Sequence, residues 1–226
     1  MVSPTLPGLY DLSNMKLRPL YPCLALVTLL GGPGVFAADS FCPEPAFIRK
    51  AAPSIAEQLK PLADLLATGE GDYNSVNRGY AGDTPGGMRS VTGSSLTAYT
   101  VAQVMGLQRT RVYAVGRYQF IPSTLRFAVD ASGVNVTDKF DAVTQDRLMA
   151  ALIAYKRPAI LSYLQGSHNN LSYALDELAR EWASVEYRGG RSYYTVGGNR
   201  AHISRAQAAK VLQEIKASWQ ENGELP

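Results

Sequence analysis

The sequence predicts a mostly helical α+β domain with a small lobe of strands or loops. Apolar residues recur at helical spacing in several segments, most of them bounded by proline, glycine or a capping residue. One stretch, residues 75–96, lacks that spacing and is rich in turn-forming residues. With 226 residues, 46% of them hydrophobic, the chain can form one domain with a substantial core.

The N-terminal 37 residues are predicted to be a signal peptide, followed by a leader (residues 38–52) and the folded domain (residues 53–226). Lys16 and Arg18 form a basic start after Met15, which is a candidate for the true start. An apolar run over residues 20–30 precedes small residues that end at Ala37. The run is shorter than the ~20 residues that span a bilayer, which disfavours a membrane anchor. We therefore expect an exported protein, periplasmic or extracellular, without a stable membrane span.

Charge and cysteine content exclude several classes of function. Removal of the signal peptide lowers the net charge from +3 to +2, which is too weak to indicate a nucleic-acid partner. Cys23 lies in the signal peptide, so Cys42 has no internal disulfide partner in the mature chain. His168 and His202 are isolated and lack metal-ligand spacing. We predict neither a metal nor a cofactor.

The first helical segment leads to residues 67–74, ATGEGDYN. Pro53 and Pro61 predict either a kinked helix or two short helices, the second of which ends near Gly69 and Gly71. Glu70 then lies at the carbonyl end of a helix, where the partial negative charge and apolar neighbours raise the pKa of a carboxyl group. This makes Glu70 a candidate general acid. The alternative is an exposed loop glutamate.

The remaining elements follow in order along the chain. In the turn-rich stretch we expect short, irregular strands around residues 73–76 and 88–91. Later helices are predicted from capping residues, prolines and apolar stripes, and they begin at or just after Thr100, Pro122, Asp141, Pro158, Asn170 and Ser204. The last two extend to about Trp182 and Asn222.

Three motifs occur in order: TGEGDYNSVNRG (68–79), AVGRYQFIPSTL (114–125) and WAS (182–184). Together they resemble the lambda-type phage endolysins of the lysozyme-like superfamily, over residues 55–215. The resemblance implies a lysozyme-like single domain whose β or loop lobe faces the catalytic helix across a cleft. It also implies a lytic transglycosylase that cleaves the MurNAc–GlcNAc β-1,4 bond of peptidoglycan without a cofactor. Gly69 stands where the family has a serine, and Thr68 could supply the missing hydroxyl.

The resemblance assigns roles to individual residues. Glu70 would act as acid and then as base, giving 1,6-anhydro ends. Tyr118 and Gln119 would line the cleft and contact the sugar, and the alternative for both is packing at a helix entry. Tyr73 and Asn77 follow the catalytic turn and could reach substrate. Tyr193 and Tyr194, in a loop at the cleft edge, could also hold glycan, and a solvated loop is the alternative.

Two other functions stay open at this stage. A hydrolytic muramidase would need a second carboxylate, for which Asp83 and Asp72 are candidates, although aspartate also favours turns. A non-catalytic glycan-binding or secretion-apparatus protein is the other alternative. The expected partner is the peptidoglycan glycan strand, and the sequence identifies no protein partner.

Overall fold

The computed structural model describes residues 54–194 and 200–222. The chain divides into two units, Met1–Ile48 and Arg49–Pro226, and the described residues all belong to the second. The predicted signal peptide (1–37), the leader (38–52) and both cysteines lie outside the described residues.

The described residues form helices and one small antiparallel sheet, which confirms the mostly helical α+β class. The helices are α1 (Ile55–Gln58), α2 (Lys60–Glu70), α3 (Gly87–Thr92), α4 (Val101–Leu107), α5 (Pro122–Ser132), α6 (Ala142–Ala151), α7 (Pro158–Leu164), α8 (Leu171–Glu181) and α9 (Arg205–Asn222). The strands are β1 (Val76–Asn77) and β2 (Ala114–Val115), with a 3₁₀ turn at Leu96–Ala98 and a π-helical segment at Leu152–Lys156.

Two short helices precede the glutamate of interest. Ser54 and Glu57 form a capping box that starts α1. Pro61 lies in the first turn of α2, where its missing N–H costs nothing. Leu62 and Leu66 of α2 are fully buried. The predicted break into two helices is thus present, and α2 carries Glu70 as its last residue.

The turn-rich stretch differs from the expectation of two strands. Residues 88–91 lie in α3, so the strand predicted there is wrong. Gly86 and Gly87 both adopt positive φ and reverse the chain, and Met88 is then fully buried, with its amide bonded to the Asn74 carbonyl at 3.0 Å. Of the other predicted strand, only Val76 falls in β1.

The strand that pairs with β1 comes from a distant part of the sequence. Val76 pairs with Val115, and Asn77 pairs with Ala114, in antiparallel register. The sheet therefore places residues that follow Glu70 beside residues that precede Gln119. The small lobe is built from both of the longer motifs.

The later helices begin where capping residues predict. Thr100, Asp141 and Asn170 each accept a backbone N–H in the first turn, and Ser204 forms a capping box with Gln207. Pro122 opens α5, and Gly133 ends it in the left-handed conformation. These predictions are confirmed.

The core lies where α2, α7, α8 and α9 pack together, and it continues to α5 and α6 through the π-helical segment Leu152–Lys156. Helix α2 packs against α9, and α7 packs against both α8 and α9. Trp182 and Trp219 are both almost completely buried. The C-terminal third of the described chain therefore supports the helix that ends in Glu70. None of the helices within residues 54–194 and 200–222 is long and apolar enough to span a bilayer.

Candidate active site

Glu70 lies at the C-terminal end of α2, where the helix stops. Gly71 ends it with a φ of +143°, which residues other than glycine rarely adopt. The Glu70 side chain is partly buried, and its Oε1 accepts a hydrogen bond from the Ser184 backbone N–H at 3.2 Å. The first and third sequence motifs therefore meet at this carboxyl group.

Gly69 allows the Ser184 segment to approach the end of α2 closely enough to contact Glu70. A Cβ on Gly69 would lie 2.5 Å from Ser184 Cβ and 3.3 Å from Ile203 Cδ1. The absence of a side chain at residue 69 allows the Ser184 segment to pack directly on α2. The Thr68 hydroxyl, which the sequence offered as a partner for Glu70, donates instead to the Leu65 carbonyl at 2.7 Å.

Both backbone polar groups of Ser184 form hydrogen bonds. Its N–H donates to Glu70, and its carbonyl accepts the N–H groups of His202 at 2.8 Å and Ile203 at 2.9 Å. A parallel bridge between Val185 and Ile203 continues this contact. The group that donates to Glu70 is a backbone N–H, and hydrogen bonds from the backbone of His202 and Ile203 fix the segment to which it belongs.

The surroundings raise the pKa of Glu70. Burial is the dominant cause, because removal from water disfavours the charged carboxylate. Hydrogen bonding from Ser184 and the charge on His202 act in the opposite direction and lower the pKa, but they only partly offset the burial. The sequence predicted this direction, and a carboxyl group with a raised pKa can donate a proton nearer to neutral pH.

Glu70 lies between two adjoining hollows. The larger has a volume of about 840 Å³ and the smaller about 330 Å³, and both are lined by Glu70, Asn77, Gly82 and Gln119. We call the two hollows together the cleft. Volumes of this size are typical of ligand pockets.

Gln119 lines both hollows of the cleft and has a strained backbone conformation. Its φ of +46° is the one positive value found for a residue other than glycine in the described chain. Its Oε1 accepts from Asn77 Nδ2 at 2.8 Å, and its Nε2 donates to the Gly116 carbonyl at 2.8 Å. Such strain persists only where neighbouring contacts enforce it, and it concentrates at functional sites. The structure therefore brings predicted residues Asn77 and Gln119 together beside Glu70.

The hydroxyl groups of Tyr118 and Tyr73 both donate to the carboxylate of Asp146. Tyr118 lines the larger hollow but is only 2% exposed, and its hydroxyl donates to Asp146 Oδ1 at 2.6 Å. Burial and this bond raise the pKa of Tyr118. Tyr73 also donates to Asp146, at 3.1 Å, and its ring lies under the Arg117 guanidinium. Tyr73 lines a separate hollow of about 780 Å³ rather than the cleft.

Asp72 and Asp83 both hold turns. Asp72 Oδ1 accepts from the Asn74 amide at 2.8 Å and the Ser75 hydroxyl at 3.0 Å. Asp83 accepts from the amides of Arg78 and Tyr80 and from the Thr84 hydroxyl. Burial alone would raise the pKa of Asp83, but these hydrogen bonds lower it.

These contacts match the turn alternative considered for both aspartates. Asp72 lines the smaller hollow, whereas Asp83 lines neither hollow of the cleft.

The two loop tyrosines are partly exposed. Tyr194 lines the larger hollow, is 42% exposed and donates its hydroxyl to the Arg180 carbonyl at 2.6 Å. Tyr193 packs edge-on against both Tyr187 and Tyr194 and lies near the Arg180 guanidinium. Tyr194 is thus the loop tyrosine with a place on the cleft wall.

Sequence reasoning missed a lysine, a glutamate and a histidine that line the larger hollow: Lys156, Glu181 and His202. Lys156 Nζ donates to Glu181 Oε1 at 2.7 Å, although the two residues are 25 positions apart. No local spacing reveals such a pair. His202 could have been suspected only by knowing that its segment packs on Ser184.

Within residues 54–194 and 200–222, no three histidine, cysteine, aspartate or glutamate side chains are grouped closely enough to hold a metal ion. Comparison of the chain with protein-family models, with curated proteins and with solved structures found no match.

Proposed function

We propose that this protein is a peptidoglycan lytic transglycosylase that cleaves the MurNAc–GlcNAc β-1,4 bond with Glu70 as its single catalytic acid. The observation that carries the proposal is the environment of Glu70: its pKa is raised, it lines both hollows of the cleft, and its Oε1 accepts a hydrogen bond from the Ser184 N–H. The three motifs that resemble lambda-type endolysins contribute residues to this same place.

Asp72 and Glu181 are the other carboxylates that line the cleft, and their hydrogen bonds favour a mechanism in which Glu70 is the single catalytic acid. Asp72 is held in its turn by Asn74 and Ser75. Glu181 is only 3% exposed and is paired with Lys156 and Arg157. Both therefore already accept hydrogen bonds from neighbouring groups of the protein, whereas a hydrolase needs a second carboxylate available as nucleophile or base.

The reaction proceeds in two proton transfers. Glu70 first donates its proton to the glycosidic oxygen as the C1–O bond of the MurNAc unit breaks. The carboxylate that forms then accepts the proton of that sugar's own C6 hydroxyl, whose oxygen bonds to C1. The products are a 1,6-anhydro end and a free 4-hydroxyl, and no water is consumed. The amides of Gln119 and Asn77 can donate to and accept from N-acetyl groups beside Glu70.

The proposal agrees with the predicted export of the chain, because the substrate lies outside the cytoplasm. N-terminal sequencing of the protein recovered from a secreting culture would test cleavage after Ala37.

The decisive experiment is digestion of purified peptidoglycan, with the products read by mass spectrometry. The wild-type protein is compared with Glu70→Gln, and Glu214→Gln, an isosteric change at an exposed residue of α9, is the matched control. We expect muropeptides about one water (~18 Da) lighter than hydrolysis products from the wild type and the control, and none from Glu70→Gln.

Two other results would redirect the proposal. Reducing ends that depend on Glu70 would show a hydrolytic muramidase with a second carboxylate. The absence of any cleavage by protein with a cooperative thermal transition would contradict the enzyme and favour a glycan-binding role.

A further inference from the structure

We propose that Lys156 forms a carboxylate-binding subsite in the cleft, so that the protein prefers glycan strands with acidic substituents to neutral ones. This inference rests on the proposed function and adds a specificity-determining residue to it. Lys156 belongs to none of the three motifs, and it ends the π-helical segment Leu152–Lys156 that follows α6. Single π turns in otherwise α-helical regions are frequent at functional sites.

The Lys156 ammonium is fixed at the cleft wall. Its Nζ donates to Glu181 Oε1 at 2.7 Å and to Thr124 Oγ1 at 3.2 Å. All three residues line the larger hollow that also contains Glu70. An ammonium group has three donors, and these are the two partners found for it among the described residues. The side chain is 30% exposed, so its third donor can reach a ligand in the cleft.

The charge around Lys156 remains positive. Glu181 also accepts from Arg157 Nε at 2.8 Å, so a single carboxylate serves two cations. Glu177 pairs in turn with Arg157 and Arg180. The cluster thus contains three cations and two carboxylates, and Lys156 is its cationic member on the wall of the cleft. Holding charges in a partly buried cluster is costly, so stability alone does not explain this lysine.

The chemistry of the glycan determines which ligand this donor can take. Strands of N-acetylglucosamine alone are neutral. In peptidoglycan, alternate sugars carry a lactyl ether whose carboxyl group is free in peptide-less strands, and stem peptides add carboxylates of their own. A lysine acts as a point charge and can bind either source. The shared chemistry is a carboxylate carried by the lactyl substituent of the MurNAc unit, either directly or through the stem peptide.

The test measures binding separately from cleavage. In the full chain carrying Glu70→Gln, Kd is determined by calorimetry for three oligosaccharides of equal length: a chito-oligosaccharide, a peptide-free peptidoglycan fragment and a peptide-bearing fragment. Each is measured with Lys156 intact, with Lys156→Met and with Lys156→Arg. Lys210→Met is the matched control, because Lys210 is 77% exposed on α9 and does not line the cleft.

We expect Lys156→Met to weaken binding of the acidic fragments about tenfold, which corresponds to ~1.4 kcal/mol, and to leave the neutral oligosaccharide unaffected. Lys156→Arg should retain most of the preference, and Lys210→Met all of it. Loss confined to the peptide-bearing fragment would identify the stem peptide as the source of the carboxylate. Loss confined to the peptide-free fragment would identify the lactyl carboxylate, because the stem peptide converts that carboxyl group to an amide. Loss on both acidic fragments would show that Lys156 binds a carboxylate from either source.

Three outcomes would overturn the inference. Equal weakening for all three ligands would show a structural role for Lys156, and unchanged Kd values would show no role in binding. If none of the glycans binds any variant, the proposed function fails together with the inference.

A thermal transition checks that the Lys156→Met variant is folded. We expect it to fold, because Arg157 still pairs with Glu181.

Discussion

Replacement of Gly69 by alanine tests how closely the Ser184 segment must approach α2. An alanine Cβ would lie 2.5 Å from Ser184 Cβ, whereas ordinary contact begins at 3.4 Å, so the two segments must separate by about 0.9 Å. A shift of that size lengthens the Ser184 N to Glu70 Oε1 distance from 3.2 Å to beyond the ~3.5 Å limit for a hydrogen bond.

Two opposing contributions determine the stability of Gly69→Ala, namely helix propensity and steric overpacking. Alanine in place of glycine within a helix stabilises by up to ~1 kcal/mol, whereas overpacking costs about 1–3 kcal/mol. Gly106 in α4 supplies the control, because a Cβ there meets nothing within 4 Å. We expect Gly106→Ala to be neutral or stabilising and Gly69→Ala to be less stable than it by ~2 kcal/mol. For a domain of this size that difference lowers Tm by about 4–8 °C.

The assay combines thermal unfolding with peptidoglycan cleavage. A displacement on the order of 1 Å at a reacting group costs up to ~10²-fold in rate, so we expect kcat to fall about 10- to 100-fold in Gly69→Ala and to stay unchanged in Gly106→Ala. Equal stability and equal activity for the two variants would refute the argument that residue 69 sets the position of Glu70.

Three further predictions concern charge, turns and buried hydrogen bonds. Burial raises the pKa of Glu70 in the folded state, so wild-type stability should fall as pH rises from the ordinary glutamate range through that raised pKa. Glu70→Gln should remove this pH dependence and be the more stable protein at neutral pH, as chemical denaturation at several pH values would show. Asp83→Asn should leave cleavage unchanged and cost ~1 kcal/mol in the same measurement, because its carboxylate holds a turn. Gln145→Ala should cost at least ~3 kcal/mol, because the buried Gln145 amide bonds three backbone groups, the Arg117 N–H and the Tyr73 and Phe140 carbonyls.

Each of these predictions has a clear contrary result. A stability that rises with pH, or does not differ between the wild type and Glu70→Gln, would contradict the raised pKa. A large loss of cleavage in Asp83→Asn would restore this residue as a second carboxylate. Near-wild-type stability of Gln145→Ala would mean that water replaces the lost bonds.

Local signals were sufficient to predict most of the helices. Capping residues such as Thr100 and Asn170 act within one turn, so their effect is visible in a few consecutive letters. The same holds for Pro122 at the start of α5. The direction of the Glu70 pKa shift was also predictable, because a helix end among apolar residues disfavours a carboxylate.

What could not be predicted depends on distant contacts. Met88 belongs to a helix because Gly87 packs on the Asn74 carbonyl, a contact that the periodicity of residues 88–91 does not encode. Tyr118 resembles a cleft residue in the motif, yet its hydroxyl is bonded to Asp146, 28 positions later. Lys156 meets Glu181 only after α7 and α8 have packed together.

The donor that holds Glu70 has a consequence for the order of folding. Ser184 lies 114 residues beyond Glu70, so their hydrogen bond is a contact of high sequence separation. Contacts of this kind require closure of a long loop and lag behind local helix formation. Helix α2 can thus form while its terminal carboxyl is still hydrated and of ordinary acidity. The raised pKa of Glu70 is acquired only when the C-terminal segments dock, so a chain that stops short of Ser184 would retain Glu70 with the pKa of an ordinary glutamate.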